Sequence, residues 1–218
     1  MSIEFAIAEV MPGKLNALVK NIMKQTATDD PNEAVRLVNS GEWILSQSTN
    51  HWRRADDGTI RFSVASTGLT GPEWEKWFDQ NHYDLSPRAR FLLNSSDFKP
   101  TATGTTTEVG VLNGELFSDD GRTTHNIRLK AVKSKMILPE AEIACLIRRM
   151  FSDKEIKTMG LWGIVTMHDP INDSDGAPDL LGVDRVGAGR WLGAYGGRPG
   201  DRWDRDDGFV FVVSQVAL

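Results

Sequence analysis

The chain has 218 residues but a single cysteine, and it lacks long apolar runs. One cysteine, Cys145, excludes an intramolecular disulfide and is typical of a reducing compartment. Because no stretch of about 18 apolar residues occurs, the sequence predicts no membrane-spanning helix. The first residues also lack a basic segment followed by an apolar one, so we expect no signal peptide and a cytoplasmic protein.

Neither composition nor charge is unusual for the chain as a whole. Hydrophobic residues make up 40% and charged residues 25%, which is typical of a soluble globular protein and excludes wholesale disorder. The net charge of −5 argues against nucleic-acid binding by the whole surface but leaves open binding by a local basic patch.

The hydrophobic pattern predicts an α+β protein with three segments. These are an N-terminal α/β segment over 1–66, a mainly helical middle region over 67–157, and an antiparallel β subdomain over 158–218. Helices are predicted over 14–25 and 122–134, and at the prolines Pro31, Pro72, Pro87 and Pro139. Strands are predicted over 42–46, 59–65, 108–112, 161–167, 179–186, 190–195 and 209–216.

Cys145 is the first candidate for catalysis. Arg148 and Arg149 follow it at i+3 and i+4 on a predicted helix, and nearby cations can lower the pKa of a thiol. With His168 and Asp169, which follow a predicted strand, a cysteine hydrolase is one hypothesis. The spacing matches no family signature and Cys145 does not begin its helix, so a small residue packed on a second helix face is the favoured interpretation.

The basic stretch 122–149 suggests nucleic-acid binding. It holds seven Lys or Arg against two Glu, on two predicted helices followed by a strand, as in a winged helix-turn-helix. The seven are Arg122, Arg128, Lys130, Lys133, Lys135, Arg148 and Arg149. Charged helix faces are usually only solvated, so a nucleic-acid-binding regulator is the second choice of function and the hydrolase the third.

The run INDSDG, which begins at Ile171, resembles a calcium-binding loop only in part. That pattern needs an acidic residue or Asn where the chain has Ile171, and Glu where it has Gly182. A turn between two strands explains the run better. We find no other metal or cofactor motif and expect neither group.

The last part of the chain lacks two charged residue types altogether. From 158 to 218 there are nine Asp and five Arg but no Lys or Glu, whereas ten Lys and eleven Glu come before it. Within 182–207, Gly, Asp, Arg and Tyr make up 18 of 26 residues. Turn chemistry explains Gly and Asp, but not why every cation is Arg and every acid is Asp. All four types have codons that differ from the Asn codons only at adenine, so adenine-directed mutagenesis would produce this alphabet.

A resemblance agrees with this interpretation. The segment GRWLGAYGGRPGDRWDRDDGFVFVVSQV, with Trp191, Trp203, Phe209 and Phe211, resembles the variable segment of target proteins of diversity-generating retroelements. The stretch from AEIACLIRRMF to MGLWGIVTMHDPINDSDG is similar to a family of uncharacterised proteins abundant in candidate-phyla bacteria. The likeness covers roughly 70–218 and is weaker over 1–66. It implies a C-type-lectin-like fold, and because the β region is short, either that fold is reduced here or the lectin analogy does not hold.

These observations predict a non-enzymatic ligand-binding protein with a diversified C-terminal face. Its partner would be a protein or a small ligand, with no cofactor and no nucleic acid. Strand alternation puts Tyr195 on the side of the long loop that follows it, and Trp203 is expected to pin that loop. The predicted ligand-binding residues are Asp184, Arg185, Tyr195, Arg198, Asp201, Arg202, Asp204, Arg205 and Asp207.

Overall fold

The computed structural model describes residues 19–20, 22–23, 28–40, 51–186 and 190–214. The chain forms two compact units, Met1–Thr49 and Asn50–Leu218. Of the helix predicted over 14–25, residues 19–20 and 22–23 are helical, and the rest lies outside the described residues. The strand predicted over 42–46 also lies outside them.

In the first unit, helix α1 spans Pro31–Asn39, as the Asp30-Pro31 dipeptide predicts. The Asp30 side chain accepts a hydrogen bond from the Asn32 N–H at 2.9 Å, which satisfies one of the free donors at the helix start. Proline suits the first helical position because the N–H that it lacks would have no partner within the helix.

The second unit interleaves helices and strands, so the predicted α+β class is confirmed. Its helices are α2 (Gly71–Gln80), α3 (Pro87–Leu93), α4 (Thr124–Lys133), α5 (Glu142–Met150) and α6 (Asp153–Thr158), with a 3-10 turn at Gly114–Leu116. Its strands are β1 (Arg53–Arg54), β2 (Ile60–Ala65), β3 (Asp84–Leu85), β4 (Thr106–Asn113), β5 (Met136–Ile137), β6 (Gly163–Thr166), β7 (Ile171–Asn172), β8 (Pro178–Asp184), β9 (Trp191–Gly196) and β10 (Asp207–Val213).

The ten described strands of this unit form one mixed sheet. The order is β1-β2-β4-β10-β6-β8-β9-β3, with β5 paired to β10 and β7 to β8. Most pairs are antiparallel, but β6 with β10 and β3 with β9 are parallel. The expected antiparallel subdomain is therefore not a separate sheet: β2 and β4, from the two earlier segments, join the C-terminal strands through β10. This long-range pairing has no local sequence signature. The lectin-like topology stays a prediction.

Strand alternation gives the sheet two faces, each with its own apolar cluster. Helices α2, α3, α5 and α6 contribute to the first cluster, in which Val183, Leu192 and Val210 of the sheet are buried. Helix α4 contributes to the second, with Phe209 and Phe211. Asp207, Gly163 and Asp184 occupy alternation positions on this second face, beside its apolar cluster.

Helix α5 is buried on every side from Glu142 to Arg148, although its sequence predicts an exposed basic face. The Glu142 carboxylate accepts hydrogen bonds from the Ser66 hydroxyl at 2.8 and 2.9 Å and from the Thr101 N–H at 2.9 Å. Arg148 donates to the Asp153 carboxylate at 2.8 Å and to the Phe151 carbonyl. A buried charge is tolerated when it is paired in this way, so both charges belong to the scaffold.

Arg148 is buried and the adjacent Arg149 is partly exposed, although the sequence predicts the same exposed position for both. We expect Arg148→Ala to lower the free energy of unfolding by about 3 kcal/mol, because it leaves buried carbonyls without their donor. Arg149→Ala is the matched control: among the described residues its guanidinium forms a cation–π contact with Trp74, worth about 0.5–1 kcal/mol. Urea denaturation of both variants tests the difference; equal losses would contradict it.

Candidate functional site

A long connection, residues 197–206, joins β9 to β10 and is called the C-terminal loop below. β9 and β10 run in the same direction, because β9 is antiparallel to β8, β8 is antiparallel to β6, and β6 is parallel to β10. A connection between parallel strands has to return along the sheet. Residues of this loop and of the sheet together line a cavity of about 600 Å³, the loop cavity.

The structure brings seven of the nine predicted ligand-binding residues together around the loop cavity. They are Asp184, Tyr195, Arg198, Asp201, Arg202, Asp204 and Asp207. Arg185 and Arg205 do not line it: the Arg185 guanidinium lies 4.8 Å from the centre of the Trp162 ring, and Arg205 lies 3.6 Å from Glu115. None of the nine is fully buried.

The wall of the cavity that the sheet provides is built over one glycine. Asp207 of β10 is aligned with Gly163 of β6, which is aligned in turn with Asp184 of β8. A β-carbon on Gly163 would lie 2.5 Å from Asp184 Oδ1 and 3.5 Å from Asp207 Oδ1. The missing side chain at Gly163 therefore gives two carboxylates room to share one space.

The Tyr195 side chain lies over two further glycines, Gly193 and Gly182, and uses the space that their missing side chains leave. A β-carbon on Gly193 would lie 2.4 Å from the Tyr195 hydroxyl, and one on Gly182 would lie 3.0 Å from its ring. The hydroxyl donates a hydrogen bond to the Asp184 carboxylate. The ring packs edge-on against Trp203 with 6.4 Å between centres, so Tyr195 faces the C-terminal loop as strand alternation predicts.

Backbone hydrogen bonds tie the C-terminal loop to the start of α4. The Thr124 N–H donates to the Asp201 carbonyl at 3.1 Å, and the His125 N–H donates to the Pro199 carbonyl at 2.9 Å. The Trp203 N–H donates to the Arg122 carbonyl at 3.1 Å. These bonds do not depend on which side chains the loop carries.

Trp203 is the large apolar side chain that anchors the loop. Its indole N–H donates to the Thr124 hydroxyl at 2.9 Å, and its ring packs on Phe209 with 5.8 Å between centres. Trp203 points inward and pins the loop, as the sequence predicts, but its side chain is only half-buried. The partial exposure arises because one side of the indole lines the loop cavity.

Burial perturbs the carboxylates of the cavity. It raises the pKa of Asp207 to about 6, against the opposing effect of the Asp204 N–H, which donates to this carboxylate at 3.0 Å. The charges of Asp204, Asp184 and Asp206 raise this pKa further. Burial also raises the pKa of Asp184, although the Tyr195 hydrogen bond lowers it. The site therefore holds acids that are costly to ionise.

Three residues of the site were missed by sequence reasoning. Asp179 is fully buried and lines the cavity; its Oδ1 accepts a hydrogen bond from Arg88, which comes from α3 and had no local signature. Trp162 lies within the strand predicted over 161–167, which gave no sign of a surface role, but it is 46% exposed and lines the cavity. Asp179 does belong to the C-terminal region that uses only Asp as its acid, and this was the one available signal.

The proposed hydrolase pair does not have the properties of a catalytic pair. Cys145 is fully buried, and burial raises the pKa of its thiol well above the usual range. His168 is also buried, which lowers its pKa to about 4. Its Nε2 accepts the Leu181 N–H at 2.9 Å, and Nδ1 lies 2.7 Å from the Asp169 carbonyl. Cys145 is a packed core residue, as favoured above, and His168 joins neighbouring backbone segments.

The basic stretch 122–149 does not form a continuous cationic surface. Arg122 is buried and donates to the carbonyls of Gly114, Phe117 and Trp203, so it supports the C-terminal loop. Arg148 is buried in α5. The lysines of the stretch, Lys130, Lys133 and Lys135, are exposed. With these arginines withdrawn into the scaffold, the expected phosphate-binding patch loses part of its charge.

The INDSDG run forms a turn between β7 and β8, as predicted. The Asp173 carboxylate accepts the N–H groups of Asp175 and Ala177 at 2.9 and 2.8 Å, and Gly176 has a φ of +76° that suits glycine. Across the described ranges, no cluster of three or more His, Cys, Asp or Glu has a metal-holding arrangement. No helix in that same part of the chain has the length and apolarity to cross a membrane.

Comparison with protein-family models, with curated proteins and with solved structures found no match to this chain.

The raised pKa of Asp207 predicts a stabilising substitution. A carboxyl whose folded pKa lies above its unfolded value makes the free energy of unfolding fall as pH rises from 3.8 through about 6. Asp207→Asn removes this cost and keeps an acceptor for the Asp204 N–H. We expect a gain of about 1–2 kcal/mol in the free energy of unfolding at neutral pH, and none in acid.

Thermal unfolding at neutral and acid pH measures this effect. Asp97→Asn is the matched control, because Asp97 is exposed, does not line the cavity and is not among the charges that act on Asp207. A gain for Asp207→Asn that is the same at both pH values would contradict the assignment.

The loop anchors predict which substitutions the C-terminal loop tolerates. Replacing Arg198, Arg202, Asp204 and Arg205 with Ser should cost less than about 0.5 kcal/mol each, because all four are exposed. Trp203→Ala should cost about 2 kcal/mol, less than for a fully buried Trp because the indole is half-exposed. Chemical denaturation distinguishes the two, and a fourfold variant less stable than Trp203→Ala would refute the description of the loop.

Proposed function

We propose that this chain is a non-enzymatic ligand-binding protein whose C-terminal loop and adjoining strands form a diversified binding face. The observation that carries the proposal is the convergence of the biased positions. Seven residues chosen by composition alone, Asp184 and Asp207 among them, line one cavity. Four of the seven are neighbours in the C-terminal loop, but Asp184, Tyr195 and Asp207 reach the same space from three different strands.

The construction of the loop supports diversification. A face that accepts many side chains needs a scaffold that does not rely on them. Here the loop backbone is tied to α4 through the carbonyls of Pro199 and Asp201, and the fixed contacts come from Trp203 and Phe209. Tyr and Arg are strong contact residues in binding faces, and glycine leaves room for them.

The buried state of the candidate catalytic groups also favours a binding role. The Cys145 thiol is shielded from solvent, and both His168 ring nitrogens lie against backbone groups. The basic stretch 122–149 commits Arg122 and Arg148 to the interior, which weakens the nucleic-acid alternative.

We propose that a diversity-generating retroelement supplies the variation, and gene sequences from closely related isolates test this. We expect differences to concentrate in the codons of cavity residues such as Arg198, Asp201 and Arg202, at positions where Asn codons have adenine. The codons of Trp203 and Phe209 should be unchanged. A reverse-transcriptase gene and an adenine-rich near-repeat of the 3′ end should lie nearby. Differences spread evenly over the gene would contradict the proposal.

A display experiment tests the binding role separately. One library varies the loop positions 198, 201, 202, 204 and 205, and a matched library varies exposed positions 125, 129, 130, 132 and 133 of α4. We expect selections against several unrelated protein baits to enrich binders from the loop library only. Equal yields from the two libraries would count against a specialised face.

A further inference from the structure

The loop cavity contains two carboxylates that form no salt bridge with another described residue. Asp184 accepts the Tyr195 hydroxyl and Asp207 accepts the Asp204 N–H. The charge of Arg148 lowers the pKa of Asp184, but burial raises it more. The two share the space above Gly163. Neutral donors stabilise an anion less than a cation does, so this space favours an added positive charge.

A third carboxylate lacks a partner for one of its oxygens. Asp179 is fully buried and lines the cavity, and its Oδ2 has no hydrogen-bond partner in the part of the chain that the structure describes. Its Oδ1 pairs with Arg88, but Arg88 also contacts Asp173 at 3.4 Å. A buried polar oxygen without a donor is costly and marks a place where a donor from outside would be stabilised.

The arginines of the cavity do not supply that charge. Arg88 is committed to Asp173 and Asp179, and Arg202 reaches away to Asp120 at 3.2 Å. Arg198 and Arg202 are exposed at the rim. The uncompensated charge in the interior is therefore negative, although the rim is basic.

The walls suit an organic cation better than a metal ion. The described residues contain no cluster of three potential protein ligands arranged for a metal. Instead the cavity is lined by Trp162, Tyr195 and Trp203, and aromatic faces attract ammonium and guanidinium groups. Trp162 already carries the Arg185 guanidinium 4.8 Å from its ring centre. A volume of about 600 Å³ lies within the range of small-ligand sites.

We infer that the loop cavity binds an organic cation: an ammonium or guanidinium group pairs with Asp184 and Asp207 above Gly163, and the aliphatic chain that carries it extends along β8 toward Asp179, which lies about 16 Å away. The inference rests on the proposed ligand-binding function and specifies the ligand's chemistry. The cation could belong to a free amine or to a Lys or Arg side chain of a protein, and both sources present the same group to the cavity.

Titrations with cadaverine, agmatine and glutarate, followed by amide NMR of the full chain, test the inference. Cadaverine and glutarate have the same chain length and opposite charge. We expect the two cations to shift the amide resonances of residues around Gly163, and glutarate not to. Asp207→Asn should weaken cation binding roughly tenfold, as expected when a desolvated charge partner is lost. Asp179→Asn, at the other end of the cavity, should weaken it less. Asp97→Asn, the exposed control, should not.

The outcomes separate this inference from the proposed function. If glutarate or a neutral sugar shifts the cavity resonances and the cations do not, the cation inference is wrong while a binding role stands. If no probe at millimolar concentration shifts them, and no binder comes from the loop library, both fail. Cation binding unchanged by Asp207→Asn overturns the site. A Lys-containing peptide that binds more tightly than cadaverine indicates a protein source, and weaker binding indicates a free amine.

Discussion

The parallel pairing of β6 with β10 is the constraint on which the site depends. It makes β9 and β10 point the same way with two strands between them, so the C-terminal loop must travel back along the sheet. Such connections usually carry a helix that packs on the sheet and fills the space beneath it. This one is a loop rich in Gly, Asp and Arg, held at a few backbone points, and a cavity is left where a helix would pack.

The fold contains two groups of charged residues with different roles. Glu142, Arg148 and Arg122 are buried with their partners and hold together α5 and the support of the loop. The charges of the C-terminal loop are exposed or line the cavity, where few partners compensate them. Substitutions among the charged residues of the loop leave the buried charges undisturbed, because the buried charges contact the loop through its backbone. Arg122, for example, donates to the Trp203 carbonyl at 3.4 Å.

Short-range sequence signals, such as helix caps, predicted much of the fold, whereas the pairing of distant strands has no such signal. The Asp30-Pro31 and Ser86-Pro87 dipeptides placed helix starts because capping is local chemistry, and Ser86 does accept the Ala89 N–H at 3.0 Å. The helix expected at Pro139 begins at Glu142. Strand partners could not be predicted, because β10 pairs with strands far away in sequence.

Part of the candidate site was predicted too, but from composition rather than from local structural signals. The bias toward Asp and Arg is a property of composition, so it identified the residues of the loop cavity without any knowledge of pairing. It could not find Arg88, which reaches the site from α3. Nor could it predict that Arg148 is buried, because a charge on an amphipathic pattern ordinarily faces water and only tertiary packing reveals the exception.

The position of β10 has a consequence for how the chain is made. β10 is the last described strand in sequence but lies in the interior of the sheet, between β4 and β6. During synthesis, β4 and β6 leave the ribosome with open edges that await the same late strand, and exposed edges invite pairing with other chains. The sheet can close only after residue 213 has emerged, so β4 and β6 keep these edges open until the whole C-terminal loop and β10 have been translated.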